Sequence, residues 1–199
     1  MSETVPTPTE TVAGKRTLMV LTGSTRPGRQ GDAWGRWMAD VAREHSDYEV
    51  QLVDLAELAL PLFDEPHHPR LRRYEHDHTK AWSAMVEAAD AFVFVAPEYN
   101  YSFPASLKNA LDYLAAEWKD KPGGILSYGG ISGGLRSAQQ LRQVLGALGV
   151  AVPQGTVSVP FSLQYVHDGV ADAPELAVQS ATMMLGEMER LGALLRPQV

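Results

Sequence analysis

The sequence predicts an open α/β fold: a doubly wound parallel sheet of five strands with helices on both faces. Three observations carry this. Apolar runs alternate with amphipathic segments of helical spacing from Lys15 onward. The runs at residues 17–21 and 91–96 are unbroken, as in parallel strands covered on both faces. The polar, glycine-bearing segments fall where a strand stops and a helix begins, the edge at which such sheets gather their ligands.

Residues 1–15 are acidic and rich in Pro and Thr, and are expected to form a flexible N-terminal tail because they carry too little apolar surface to offset the entropy of ordering. Residues 16–199 suit one domain. Thr17, Leu18, Met19, Val20 and Leu21 make the first strand, and Trp34, Trp37, Met38 and Val41 mark the first helix. Tyr48, Val50 and Leu52 alternate with Glu49, Gln51 and Val53, the pattern of a strand half-exposed at a sheet edge. Trp82, Met85, Val86 and Ala89 give the second helix and residues 91–96 a central third strand. Leu107, Leu111, Leu114 and Trp118 space a third helix with Pro122 beyond it, and residues 124–128 a fourth strand. Leu141, Val144, Leu145 and Leu148 form a fourth helix stopped by Gly149; residues 157–159 are a fifth strand. Ala177, Ala181, Met184, Met188 and Leu191 line the last helix, whose apolar face has width to spare. Five strands so connected fit the flavodoxin-like order 2-1-3-4-5, in which strands 1 and 3 are neighbours and the loops after Leu21, Ala96 and Tyr128 open on one crevice.

With 17 Lys and Arg against 24 Asp and Glu, the net charge is −7, which argues against nucleic acid or an anionic membrane surface as partner. The absence of cysteine excludes disulfides, thiolate metal sites and thiol catalysis. No stretch reaches the ~18 apolar residues of a membrane span. The first residues show neither the basic nor the apolar segment of a secretory leader, so a cytoplasmic location is expected.

The first loop, Gly23-Ser24-Thr25-Arg26-Pro27-Gly28-Arg29, has the chemistry of a phosphate site. Gly23 and Gly28 permit tight turns and close backbone approach. Ser24 and Thr25 offer hydroxyls, the amides near Gln30 and Gly31 open a helix toward an anion, and Arg26 is a planar bidentate donor. A P-loop needs Lys and then Ser or Thr after Gly28, and the chain has Arg29-Gln30. The second loop, Pro97-Glu98-Tyr99-Asn100-Tyr101-Ser102-Phe103, holds three aromatics and no charged nucleophile. Its amides and Asn100 suit the edge of a flat heteroaromatic ring, with Tyr99 and Tyr101 as candidates bordering the substrate cleft. A nucleotide-like cofactor held by its phosphate at one loop and by its ring at the next follows.

Gly23-Ser24-Thr25-Arg26, Pro97-Glu98-Tyr99-Asn100 and Gly129-Gly130-Ile131-Ser132-Gly133-Gly134 resemble, in order and spacing, the NAD(P)H-dependent FMN reductase family of flavodoxin-like oxidoreductases. The resemblance spans about residues 16–160. It implies FMN as cofactor and NADH or NADPH as electron donor, with a quinone-like molecule or free flavin as small-molecule acceptor. It implies that Ser24 and Arg26 serve the phosphate, to which the helix-start residues Gln30 and Gly31 are added as candidates from their own chemistry, and that Pro97, Glu98, Tyr99, Asn100 and Tyr101 border the isoalloxazine. Gly129, Gly130, Ser132 and Gly133 would approach its pyrimidine end, and a homodimer or homotetramer is the implied assembly. Many relatives carry a serine shortly after the arginine; here Gln30 takes that place.

Three other chemistries are weighed on the same residues. Gly130-Ile131-Ser132-Gly133-Gly134 also spells a nucleophile elbow, but His167 is the only later histidine and no Asp or Glu lies between, so the triad order Ser, acid, His cannot be built. His67, His68, His76 and His78 share a Pro- and Arg-rich connection with Asp64 and Asp77; without helical pairing or fixed ligand spacing they read as a solvated loop or lid rather than a metal site. A flavodoxin-type electron carrier, or a flavin-free binding protein on the same fold, would share the architecture without hydride chemistry.

Overall fold

The computed structural model describes residues 15–195, so the predicted tail lies outside the described residues except for Lys15. Strands β1 (Thr17–Thr22), β2 (Glu49–Asp54), β3 (Ala91–Pro97), β4 (Gly123–Tyr128) and β5 (Val157–Val159) form one parallel sheet in the order β2-β1-β3-β4-β5. This is the expected order. Helices α1 (Gly31–His45), α3 (Asp77–Ala88), α4 (Ala105–Asp112), α5 (Leu135–Ala147) and α6 (Glu175–Leu195) supply the crossovers and cover.

The period-two geometry of the strands divides the core in two. Leu18, Val20, Val93, Val95 and Leu126 face α1 and α6, meeting Trp34, Met38, Ala181, Met184 and Met188. Met19, Leu21, Phe92, Phe94 and Ile125 face the other way, against Trp82 and Val86 of α3, Leu107 and Leu111 of α4, and Leu141 and Leu145 of α5. Each apolar stripe thus has one sheet face to cover. Burying a large side chain of this kind contributes roughly 1.5–3 kcal/mol, which makes the two layers the main source of stability.

Four local features differ from the sequence reading. At the edge, Leu52 is exposed and Val53 is buried, because the chain turns at once into a short helix, α2 (Leu55–Leu58), capped by Asp54 through Ala56 N–H at 2.9 Å. That turn carries Val53 and Leu55 into the core facing α3 and α4. Helix α4 ends at Asp112 rather than running to Trp118: Leu114 and Trp118 stay in the core, on a 3-10 turn at Ala116–Trp118. Tyr113, just past the helix, donates to Asp64 Oδ1 at 3.0 Å, fastening the long connection before α3. The fourth is a small hairpin, β6 (Val166–His167) with β7 (Val170–Ala171), which precedes α6.

Candidate functional site

The carboxyl ends of four strands lie side by side, with Thr22 level with Val95, Pro97 with Tyr128, and Tyr128 with Val159. The segments leaving them enclose a cavity of about 660 Å³. That lies within the ~300–1,000 Å³ usual for cofactor and small-ligand sites.

The first loop gives the wall Arg26, Gly28, Arg29 and Gln30. Its base is tied down at Gly23, whose N–H donates to the Val95 carbonyl at 2.9 Å and whose carbonyl accepts from Ser106 Oγ at 2.6 Å. Gly28 sits at φ 69°, where a side chain would be strained. Helix α1 then opens at Gln30 without a side-chain cap, leaving the positive end of its dipole and its first amides available. Gly31 is sterically obligatory: a Cβ there would lie 2.1 Å from Ser24 Oγ and 2.8 Å from the Tyr128 hydroxyl. Those two buried oxygens share a hydrogen bond of 3.3 Å behind the wall. Burial drives the Tyr128 phenol well above its ordinary pKa, so it stays neutral.

Charge at this loop comes from two arginines in different states. Arg29 pairs with Asp54 at 2.5 Å, yet its Nε is buried without a hydrogen-bond partner among the described residues. Arg26 is exposed, donates to the Pro27 carbonyl at 3.4 Å and has no acidic partner among the described residues. Arg26 thus lines the same cavity as Gln30 at the start of α1, and a cation and a helix N-terminus both favour an anion.

The second loop contributes Pro97, Glu98 and Tyr99. Beyond Tyr99 the chain reverses through Asn100 and Tyr101 at φ 48° and 71°, while Tyr99 and Ser102 exchange backbone hydrogen bonds of 2.8 and 3.0 Å. This is a two-residue turn of the type I′ kind; asparagine suits its first position, whereas tyrosine at the second costs about 1–2 kcal/mol. The Glu98 carboxylate accepts from Ser132 Oγ at 2.9 Å and from the Arg136 amide and guanidinium at 3.2 and 2.5 Å. Burial alone would raise its pKa, but the Arg136 and Ser132 hydrogen bonds outweigh it and hold the carboxyl below its ordinary value. Glu98 is thus an ionised strut between the second loop, the glycine loop and the start of α5.

The glycine loop adds Gly129 and Gly130. Gly133 and Gly134 have φ of 60° and 80°, and a Cβ on Gly134 would lie 2.7 Å from the Tyr128 amide nitrogen. Ser132 Oγ donates to Glu98 and accepts from the Gly134 N–H, with no histidine bonded to it among the described residues, so the elbow motif does not build a nucleophile.

Of the residues proposed from sequence, the cavity brings together Arg26, Gln30, Pro97, Glu98, Tyr99, Gly129 and Gly130. Ser24, Gly31, Asn100, Tyr101, Ser132 and Gly133 stand behind or beside the wall and are not among its lining residues. Sequence reasoning placed Arg29 in the first loop without giving it a role, and missed Tyr128 and the segment Phe161, Ser162, Leu163 and Gln164 after β5. The 2-1-3-4-5 order itself was the available signal, because the fifth strand must exit on the same edge. Here Phe161 and Ser162 donate their amides to the carbonyls of Gly130 and Gly129 at 2.9 and 3.0 Å. Ser162 Oγ donates to Gln30 Oε1 at 3.1 Å, which leaves the Gln30 amide nitrogen as a donor.

The histidine-rich connection borders other ground. His78 Nε2 lies 3.2 Å from Asp64 Oδ1, and none of its residues lines this cavity. Among the described residues, no group of three or more His, Cys, Asp or Glu is placed to hold a metal ion, and no helix is long and apolar enough to cross a membrane.

One cavity therefore brings together the Arg26 guanidinium, the uncapped start of α1 and walls of aromatic side chains and glycine backbone. Residues 17–164 match the NADPH-dependent FMN reductase family. The chain is similar to the NAD(P)H-dependent FMN reductase C4B3.06c of Schizosaccharomyces pombe, 37% identical over 175 residues, which cover 87% of this chain and 85% of that protein. A probable NADPH:quinone oxidoreductase 2 of Oryza sativa is 48% identical over 68 residues, 33% of this chain and 34% of that protein. Among solved structures, the flavoenzyme NAD(P)H:(acceptor) oxidoreductase FerB of Paracoccus denitrificans shares the fold, with a TM-score of 0.67 at 19% identity over 90% of this chain and 97% of its own. Because the family match runs from β1 to the segment that closes the cavity after β5, the chain belongs to the NADPH-dependent FMN reductase family.

Proposed function

We propose that the chain is an FMN-dependent oxidoreductase that takes hydride from NADH or NADPH and passes electrons to a quinone-like acceptor or free flavin. The observation that carries this reading is one cavity with two chemistries: an arginine without an acidic partner among the described residues in the same wall as an uncapped helix start, and, beside it, Tyr99, Tyr128 and Phe161 flanking bare glycine backbone. The uncapped first amides of α1 and the bare backbone of Gly28, Gly129 and Gly130 in the same wall leave donors and room for a phosphate and a flat ring, so the residues present fit FMN.

When bound, FMN supplies the ring that accepts and releases electrons. Arg26, the Gln30 side-chain amide and the first amides of α1 neutralise and orient the phosphate. Ser24 and Tyr128 act from behind, fixing the wall through their mutual hydrogen bond and the close seat of Gly31. The backbone N–H groups of Asn100, Tyr101 and Gly130, with the Asn100 side chain, are the donors available to a ring that gains negative charge, an electrostatic role that needs no proton-transferring side chain; those of Glu98, Tyr99 and Gly129 are taken by the Tyr128, Ser102 and Val159 carbonyls. Tyr99 and Tyr101 border the face left to the nicotinamide. The quinone class of acceptor is supported by the relative named for it and the free-flavin class by the family. We further propose one domain over residues 16–199, a cytoplasmic location, and a homodimer or homotetramer.

Anaerobic stopped-flow absorbance tests the reading. NADH or NADPH should bleach protein-bound FMN within turnover time, and a quinone should restore the oxidised spectrum. Tightly bound FMN that neither nicotinamide reduces would identify an electron carrier instead.

A further inference from the structure

We infer that Gln140 and Arg136 of α5 are positioning residues that clamp the aromatic turn at residues 99–102 beside the cavity, and that this clamp sets the approach of the nicotinamide; the second half rests on the function proposed above. The Gln140 side chain uses both ends of its amide on successive residues of the turn. Its Nε2 donates to the Tyr101 carbonyl at 2.8 Å and its Oε1 accepts from Ser102 Oγ at 2.7 Å. One helical turn earlier, the Arg136 guanidinium lies 4.0 Å from the centre of the Tyr101 ring while its Nη1 holds Glu98 Oε1 at 2.5 Å. Positions four apart share a helix face, so α5 grips Glu98, Tyr101 and Ser102 with one edge.

The turn needs such a grip. Its own bonds join Tyr99 to Ser102 and hold the hairpin together without anchoring it to the body of the protein. Two non-glycine residues at positive φ, one of them a tyrosine, make the conformation intrinsically unfavourable. Contacts from outside must offset that strain, and the pair from α5 supplies them through a hydrogen-bonded amide and a cation over a ring. Tyr99, the residue of this turn in the cavity wall, is the first of the four, so its place follows from where the turn is held. Neither α5 side chain lines the cavity itself.

Hydrogen exchange on the full chain, with and without FMN, tests the clamp, and flavin reduction by NADPH tests its consequence. Gln140 is exposed, so Gln140→Leu removes both hydrogen bonds without touching the core. Exchange at the Tyr99 and Ser102 amides should rise about tenfold or more, as losing two hydrogen bonds implies. FMN affinity should stay within about threefold, because the phosphate corner is untouched. Reduction of the flavin should slow about tenfold, with KM for the nicotinamide raised, because hydride transfer depends on reacting atoms held ~3–3.5 Å apart. Tyr101→Gly in the Gln140→Leu background should recover slow exchange, since Asn followed by Gly is the sequence this turn prefers. Arg136→Lys, which keeps the charge beside Glu98 and loses the planar stack, should fall between wild type and Gln140→Leu.

Unchanged exchange in Gln140→Leu overturns the clamp. Faster exchange with kcat and KM both unchanged overturns its role in nicotinamide approach. Wild-type protein whose bound FMN neither nicotinamide reduces overturns the proposed function, and exchange then decides the clamp alone.

Discussion

Gly31→Ala puts the closest contact of the site under test. The added methyl would lie 2.1 Å from Ser24 Oγ, 2.8 Å from the Tyr128 hydroxyl and 3.1 Å from Thr22 Cγ2, all on buried residues. None of these is the far end of a long flexible chain, so the first turn of α1 must move. Overpacking of this kind costs roughly 1–3 kcal/mol, and losing the Ser24–Tyr128 hydrogen bond costs about 0.5–1.5 kcal/mol more. Alanine's better helix propensity returns at most about 1 kcal/mol. The expected net loss is about 0.5–4.5 kcal/mol, a Tm lowered by about 1–18 °C for a chain of this size. The same displacement moves the amides that open α1, so FMN affinity should fall as well. Differential scanning calorimetry and titration of the apoprotein read the two effects separately. Gly186 is the control: its Cβ would meet nothing within 4 Å, and it lies inside α6. Gly186→Ala should therefore stabilise by about 0.4–1 kcal/mol. Wild-type Tm and wild-type FMN affinity in Gly31→Ala would refute the close approach and, with it, the account of why this helix starts on a glycine.

Arg26→Ala should weaken FMN about 10- to 100-fold, the range that corresponds to losing charge-assisted hydrogen bonds of roughly 1.5–3 kcal/mol, while the Tm of the apoprotein stays unchanged because the side chain is exposed. Equal FMN affinity in the two proteins would remove Arg26 from the phosphate site. Glu117 supplies a pH signature away from the site. It is buried, accepts from Tyr74 and Ser83 hydroxyls at 2.8 Å each and from Ala115 N–H at 3.2 Å, and lies 3.5 Å from Arg72 Nε. Burial by itself would raise its pKa, yet these hydrogen bonds hold it below the ordinary value of 4.5. A carboxyl whose folded pKa is depressed contributes stability above its unfolded pKa and loses it as pH falls toward the folded one. Glu117→Gln should therefore be less stable than wild type near neutrality by about 1–3 kcal/mol. The gap should close as urea unfolding is followed downward from about pH 4.5. A gap independent of pH would mean that Glu117 contributes shape and hydrogen bonds but no charge. Light scattering at micromolar concentration checks the proposed assembly, for which a dimer or larger is the expected result and a monomer the contrary one.

The chain's own order of residues determined the layers and the edge where the site lies. Unbroken runs such as Ala91-Phe92-Val93-Phe94-Val95-Ala96 can only be satisfied by cover on both faces, and helical stripes such as Trp82 and Val86 provide it. These are local consequences of periodicity, so they can be read without knowing what is near what. The corner of the cavity lined by Arg26, Gly28 and Gln30 was legible for the same reason: strand, glycine loop, arginine and helix start follow one another within a few residues. The end of α4 was not. Its apolar spacing continues to Trp118, but Tyr113 is drawn to Asp64, 49 residues earlier, and the helix gives way to a 3-10 turn.

Tertiary structure alone decided which side chains reach the cavity. Tyr128 meets Ser24 across 104 residues of sequence and Ser162 meets Gln30 across 132. Glu98 reads as a ring contact beside Tyr99 and Asn100, yet its carboxylate is held by Ser132 and Arg136, more than 30 residues on. Burial and neighbouring charge act through space, and a buried acid turns toward whatever donors the fold brings close. Sequence spacing therefore determined where the loops open, and the parallel sheet, by setting four strand ends side by side, decided which of their residues form the wall and which hold it in place.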